Sequence, residues 1–298
     1  MNFRIAEERF FLIICCLAAA FAIGMLIYII GTIFIEALPS FSLEFIITSE
    51  SDFPGVGGAI ANAIAGTILI SFFATLLATP LAIGTAIYLQ KYARESFFTK
   101  TVRFLIEVLS GTPSIVIGIF GMLVLVYYLR DVTGGFSLIS GSIALAILIM
   151  PVIERAVEDA IFAVPKSIES GSYALGANKW ETIRNITLPT AISGIMTGII
   201  LGFGRAAEES AVVILTAGYS QFMPEFTIKS TEKLASGFKI YPIQDLVGTL
   251  PYSVYHGYEN SNVIPISDAF AAAFVLIVIV LSINVITKII LRRYKIEA

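Results

Sequence analysis

Apolar runs of membrane-crossing length alternate with short polar stretches along this chain. A bilayer's hydrocarbon core, about 30 Å thick, takes roughly 20 apolar residues in a helix. Five stretches meet that length with little or no charge: Phe10 to Ile35, Ala59 to Gln90, Phe104 to Leu129 with only Glu107 inside, Val132 to Ile153, and Ala269 to Thr287. A sixth, Ile186 to Ala217, carries Arg205, Glu208 and Glu209. The pattern predicts an all-α, polytopic membrane protein with six transmembrane helices. The first run exceeds the hydrophobic region of a signal peptide and lacks a convincing cleavage site, so it reads as a retained helix.

The polar stretches between these runs set the orientation. Short cytoplasmic loops hold an excess of Lys and Arg. Arg4 and Arg9 precede the first helix; Lys91, Arg94, Lys100 and Arg103 lie between the second and third; Arg155, Lys166, Lys179 and Arg184 lie between the fourth and fifth; Lys288, Arg292, Arg293 and Lys295 follow the last. The other side has Arg130 and, in the long 219–265 loop, Lys229, Lys233 and Lys239. Both termini are therefore expected in the cytoplasm, with the chain a multi-pass protein of a plasma or inner membrane.

Composition agrees: 57% of residues are hydrophobic and 14% charged, and mean hydropathy is +0.89, far from the soluble norm. A net charge of −3 without a basic cluster gives no footprint for nucleic acid. Cys15 and Cys16 are neighbours in an apolar run and read as small hydrophobes.

One polar passage stands out, Glu169 to Pro189, ESGSYALGANKWETIRNITLP. Ile168, Ser172 and Leu175 recur at helical spacing, as do Ala177, Trp180 and Ile183, which predicts two short helices with apolar faces meeting at Gly176. Glycine suits such a junction because it takes positive φ and allows close backbone approach. On physics alone the unit fits a pair of helices lying on lipid headgroups, with Trp180 as interfacial anchor, as well as it fits a contact with another protein.

Glu169, Gly176 and the closing Ile186-Thr187-Leu188-Pro189 resemble the EAA loop of ABC importer permeases, with Ser170 and Gly171 in place of the two alanines. Four further stretches are similar in order and spacing to the phosphate-type, PstA-like branch: Leu109–Gly121, Met150–Pro165, Ala174–Ala206 and Thr249–Tyr255. The resemblance implies the type I ABC importer permease fold, with residues 1–58 as an added helix and outer loop. Residues 59–298 would form the permease core, with a coupling loop at about 165–189 and an outer loop at 219–265. It further implies that Glu169, Gly176, Ala177 and Trp180 contact an ATPase. The expected partners are two copies of an ABC ATPase subunit, a second related permease, an extracytoplasmic phosphate-binding protein and membrane lipid. No cofactor is expected in this chain. The function implied is half of the pore for ATP-driven phosphate uptake, with sulfate or molybdate as the alternative oxyanion.

The stretch Arg205–Gly218 departs from the family's usual pattern: Glu208 stands for a glycine, Ser210 for a threonine and Val212 for a proline, while Arg205 and Glu209 are kept. Charge inside a bilayer must face protein or a watery cavity. Arg205 reaches Glu208 at i+3 and Glu209 at i+4, which fits a local ion cluster that fixes packing; it also fits an oxyanion attractor on the translocation path, for which a guanidinium fork is suited. Ser110, Thr112 and Ser114 surround Pro113 and read equally as a satisfied kink or a pore lining. Glu107 is expected to pair with Arg103, the carboxylates of Glu154–Asp159 to be the solvated end of the fourth helix, and His256 to be a surface residue.

Enzyme readings find no support in motifs. The chain lacks H-E-x-x-H, a G-x-S-x-G elbow and paired intramembrane aspartates, and its lone histidine leaves no triad. It also lacks G-x-x-x-x-G-K-[ST], so any ATP used must be bound by another chain. A gradient-driven transporter would need no ATPase, and the EAA-like loop argues against it.

Overall fold

The computed structural model describes residues 2–52, 57–231, 234 and 238–295; Lys233 lies outside the described residues. The helices are α1 (Asn2–Ala37), α2 (Leu43–Ile47), α3 (Ala61–Ile87), α4 (Phe97–Gly111), α5 (Ser114–Gly121), α6 (Arg130–Thr133), α7 (Leu138–Phe162), α8 (Lys166–Ala174), α9 (Lys179–Thr182), α10 (Leu188–Ala207), α11 (Ala211–Thr216), α12 (Leu250–Glu259) and α13 (Ile266–Lys295). Wider π-turns extend α3 through Tyr88–Tyr92 and α5 through Met122–Tyr128, and a third, Ile183–Thr187, joins α9 to α10. A small antiparallel ribbon, β1 (Ile228–Ser230) and β2 (Phe238–Ile240), pairs Lys229 with Lys239.

Small side chains explain why the central helices pack as they do. Along α3, Ile70, Ala74, Ala78, Ala82 and Ala86 recur every fourth residue, and all are buried. That stripe brings α3 against α7, whose Leu145, Ile149, Ile153, Val157 and Ile161 form the matching buried row. In lipid there is little hydrophobic drive between helices, so close van der Waals fit at small residues does the work. On α10 the same device uses glycine. A Cβ on Gly194, Gly198 or Gly202 would lie 2.5 to 2.6 Å from Ala160, Ala156 or Ile153 of α7 respectively, so α7 and α10 run antiparallel at backbone contact.

Among the described residues, five helices are long and apolar enough to cross a membrane, and a bent pair makes up to six. The third span, expected over Phe104–Leu129, is sharply bent at the kink that Pro113 suggested: Phe97–Gly111 and Ser114–Tyr128 meet at 101°. Pro113 has no N–H to continue the first helix, so Leu109 O accepts from Thr112 N instead, at 3.2 Å. The fourth span starts at Leu138 rather than Val132, because Gly134 turns the chain with φ of +84° and Ser137 caps the helix by accepting from Ser140 N. The fifth, expected as one run, stops at Ala207 and restarts at Ala211. The 219–265 segment holds the ribbon and α12. Asn62 Nδ2 donates to Ser220 O at 2.9 Å, and Leu250 N donates to Thr67 Oγ1 at 2.8 Å, tying this segment to the top of α3. α1 stands apart, touching α13, where Phe34 and Phe41 rings flank Phe274.

Candidate functional site

Two constellations predicted from sequence are built in different ways. The first is the α8–α9 loop. α8 ends at Ala174 with Leu175 as its cap, and Gly176 follows with φ of +89°. Ala177 N donates to Ser172 O at 3.2 Å and Gly176 N to Tyr173 O at 3.0 Å, the bonding pattern of a Schellman helix end. α9 opens on a capping box: Asn178 Oδ1 accepts from Glu181 N at 2.9 Å, and Asn178 N donates to Glu181 Oε2 at 2.8 Å. One glycine therefore fixes the angle between two independently capped helices. A Cβ on Gly176 would meet nothing within 4 Å, so its role is φ rather than close approach.

The loop is anchored through Glu169. Its Oε1 receives Lys91 Nζ at 2.5 Å and Thr187 Oγ1 at 2.6 Å. Lys91 comes from the end of α3 and Thr187 from the turn into α10, so Glu169 joins α8 to both. Burial pushes the Glu169 carboxyl up, but the bonds from Lys91 and Thr187 and the charges of Lys91 and Lys166 outweigh it and hold the group below its ordinary value. Ser172 and Thr182 hydroxyls lie 3.0 Å apart across the two helices. What the loop leaves open is apolar: Leu175 is 91% exposed at the tip, with Trp180, Tyr173 and Ile168 exposed beside it. Ala177 is half-buried. The expected apolar faces thus do not close on each other.

The second constellation is the break between α10 and α11. Glu209 is buried, and both its oxygens are used: Oε2 faces Arg205 Nη2 at 3.3 Å, while Oε1 accepts from Ala211 N at 3.1 Å. The carboxylate thus meets the first N–H of α11, the helix end whose partial positive charge favours it, while its partner Arg205 lies in the last turn of α10, where a cation is favoured. The Arg205 side chain remains 48% exposed. Glu208 is exposed and outside the pair. Gly202, one turn earlier, packs on Ile153 and Ile149 near the middle of α7, so the break sits at mid-depth in the bundle.

Ser110, Thr112 and Ser114 lie at the 101° bend. Thr112 Oγ1 donates to Val108 O at 2.7 Å, the satisfied-kink arrangement, while Ser110 is exposed and Ser114 half-buried. α5 meets α11 one turn on, where Gly118 lies against Ala211 and Val212. Sequence reading did not join Lys91 or Thr187 to Glu169, since neither pairing is local, and it missed the capping box, which the N-x-x-E of Asn178–Glu181 does signal.

Three expectations are overturned. Arg103 pairs not with Glu107 but with Glu158 of α7, Nη1 to Oε1 at 2.6 Å. Glu154 is not solvated but 1% exposed, because α7 continues two turns past it to Phe162. His256 is half-buried on α12, its Nδ1 3.1 Å from Asn260 Nδ2 and its ring 5.1 Å from that of Tyr219. Tyr219 in turn stacks on Tyr252 at 4.8 Å and donates its hydroxyl to Glu50, a carboxyl that burial raises against the lowering pull of the Gly57 backbone.

Residues 78–296 match the family of binding-protein-dependent transport system inner membrane components. The chain belongs to that family. This permease is 33% identical over 97% of its length to the probable ABC transporter permease protein YqgI of Bacillus subtilis, covering 96% of it. It is also 35% identical to the phosphate transport system permease protein PstA of Yersinia pestis over 74% of its own length and 73% of that protein. A third relative, the probable phosphate transport system permease protein PstA of Methanocaldococcus jannaschii, is 30% identical, with 95% and 92% of the two chains covered. Its fold is that of the permease in inward-facing structures of the MetNI methionine ABC transporter, with a TM-score of 0.59, 16% identity, and 78% of this chain and 95% of that one aligned. The type I ABC importer permease fold is therefore established, and the chain is a transport subunit of the multi-pass, binding-protein-dependent class.

Proposed function

We propose that this permease forms half of the membrane pore of an ATP-driven phosphate importer. The single observation that carries the mechanism is the α8–α9 unit: a rigid, apolar-tipped hook tied by Glu169 to the ends of α3 and α10. The substrate rests on the PstA relatives. One of two ATPase subunits would seat Leu175 and Trp180, with Gly176 and Ala177 setting the angle of the hook. Their closure pushes on α8, and the Glu169 bonds pass that push to α3 and α10. Ligands of differing affinity for inward-open and outward-open states then shift a two-state equilibrium.

Substrate handling falls to the break. Arg205 keeps part of its guanidinium open while Glu209 holds it in place, so the ion-cluster and oxyanion roles are two faces of one arrangement. Glu208, exposed beside it, tempers the positive field. Ser110, Thr112 and Ser114 would line the path only where α4 turns into α5. We assign both termini and the α8–α9 unit to the cytoplasm, a second related permease as the other half of the pore, and an extracytoplasmic phosphate-binding protein to the 219–265 face. Residues 1–58 are an addition to a core at 59–298. ATP hydrolysis belongs to the separate ATPase, and this chain carries no cofactor. The test is paired: ATPase attachment and phosphate uptake measured on the same proteoliposomes for Leu175→Asp. Loss of both supports the hook; attachment and uptake equal to wild type contradict it.

A further inference from the structure

Two of the π-turns meet at one carboxylate. Lys91 belongs to the turn Tyr88–Tyr92 that ends α3 and Thr187 to the turn Ile183–Thr187 that opens α10, and both reach Glu169 Oε1. In the first turn Ala93 N donates to Tyr88 O at 2.8 Å, an i→i+5 bond. Such turns are rare, recur at functional sites and are places where helices bend. Successive residues of this one reach different helices. Tyr92 holds α9: Lys179 Nζ lies 4.7 Å from its ring centroid, and Lys179 adjoins the exposed Trp180. Lys91 holds α8 through Glu169. Gln90 meets α7 instead, its Nε2 donating at 2.9 Å to Glu158 Oε1, the atom that also receives Arg103 of α4 at 2.6 Å. Leu89, one residue earlier, is buried, so the turn is set into the bundle.

Coupling between distant elements is carried by contiguous packed and hydrogen-bonded groups. The turn supplies such a junction. On one side it grips both helices of the hook, and on the other it meets the carboxylate that α7 shares with α4, the first limb of the 101° bend. We propose that Tyr88–Tyr92 is the relay by which displacement of the hook reaches α7 and α4, with Tyr92 and Gln90 as its positioning residues. A push on Trp180 carries Lys179 and with it Tyr92; the wide turn is the point at which the end of α3 can bend, and a shift of Gln90 displaces Glu158 and its Arg103 partner. This rests on the reading of α8–α9 as the ATPase contact and goes beyond it, since the Glu169 bonds reach α3 and α10, whereas Gln90 extends the path to α7 and the bent span.

The test uses the complete transporter in proteoliposomes, with phosphate imported per ATP hydrolysed as the readout. A residue that merely braces the fold lowers the amount of assembled complex and leaves this ratio unchanged. Tyr92→Leu should import roughly two- to fivefold less phosphate per ATP, the worth of one exposed cation–π contact. Tyr92→Phe keeps the ring face and should match wild type. Gln90→Met keeps the length of the side chain but removes the donor, and should import roughly tenfold less per ATP, the worth of one hydrogen bond to a charged group. All three should bind the ATPase as wild type does. A wild-type ratio in both Tyr92→Leu and Gln90→Met overturns the relay, as do equal defects in Tyr92→Phe and Tyr92→Leu, or a loss of assembled complex at an unchanged ratio. Leu175→Asp, measured alongside, separates the two readings. If it loses the ATPase while Tyr92→Leu and Gln90→Met stay fully coupled, the hook stands and the relay falls; if it keeps the ATPase, the hook is no ATPase contact and the relay falls with it.

Discussion

Replacing Gly176 with valine separates the hook from the bundle that carries it. The perturbation is purely one of backbone, since the added side chain has open space around it and the cost comes from φ of +89°. A left-handed conformation costs an L-residue about 1–2 kcal/mol, more for a β-branched one. If the turn relaxes instead, the bonds Ala177 N to Ser172 O and Gly176 N to Tyr173 O are lost, at about 1 kcal/mol each. Either route disfavours the docked angle by roughly 2 kcal/mol, and each 1.4 kcal/mol is about tenfold in an equilibrium. α8 buries none of its residues, so the membrane bundle should not register the change. We expect normal insertion and thermal midpoint, with ATPase attachment or ATP-coupled uptake down roughly tenfold or more. Activity should fall in the order Gly, Asn, Ala, Val, because Asn tolerates positive φ better than Ala. The assay is co-purification of the ATPase and uptake on one preparation of each variant. Full coupled transport by Gly176→Val would show that φ at this position does not set the docked angle, as would equal defects in Asn and Val.

Arg205→Ala should assemble yet transport at least about tenfold less. Because it strands the buried Glu209 with only Ala211 N–H, it should also lower stability by about 1–3 kcal/mol, which Arg205→Ala with Glu209→Gln should recover without restoring uptake. Gly198→Leu places bulk where a Cβ is already 2.6 Å from Ala156, so the thermal midpoint should drop by the equivalent of about 1–3 kcal/mol. The Glu169 carboxyl is depressed when the loop is docked, so its contribution is complete above the ordinary carboxylate range and is lost as pH falls through its lowered value. Protease protection of the 166–187 segment should therefore fade on acidification in wild type and be weak at every pH in Glu169→Gln. For orientation, with Cys15 and Cys16 replaced, Ser96→Cys should be labelled only from the cytoplasm and Ser51→Cys only from outside; reversed labelling refutes the topology.

The apolar runs made the helix bundle legible because membrane spans must satisfy every backbone group within themselves. Their interruptions were harder to read. Pro113 marked the bend at Thr112, but not its angle of 101°, nor that α4 pairs with α7 through Arg103 and Glu158, a contact across 55 residues that no local pattern encodes. The stop at Ala207 looked like continuous helix because Glu208, Glu209 and Ser210 are tolerated in helices; only the tertiary roles of Glu209, pairing and capping at once, make the break visible. The α8–α9 unit was the opposite case. Gly176 and the flanking periodicity located both short helices, since a positive-φ glycine is a strictly local signal. Lys91 escaped notice because it lies on another helix, joined to Glu169 only in the fold. Glu154 was misplaced for a simple reason: a run of charges near a helix end resembles a solvated terminus until the helix is seen to continue to Phe162.

An ATP-driven phosphate pore that includes this chain is open to reconstitution. Its most direct test is uptake of labelled phosphate into proteoliposomes holding the permease pair, the ATPase and the binding protein, with and without internal ATP. Uptake should require ATP and the binding protein and persist against a large excess of sulfate or molybdate. Uptake that proceeds without ATP, or that sulfate or molybdate abolishes at equal concentration, would contradict it.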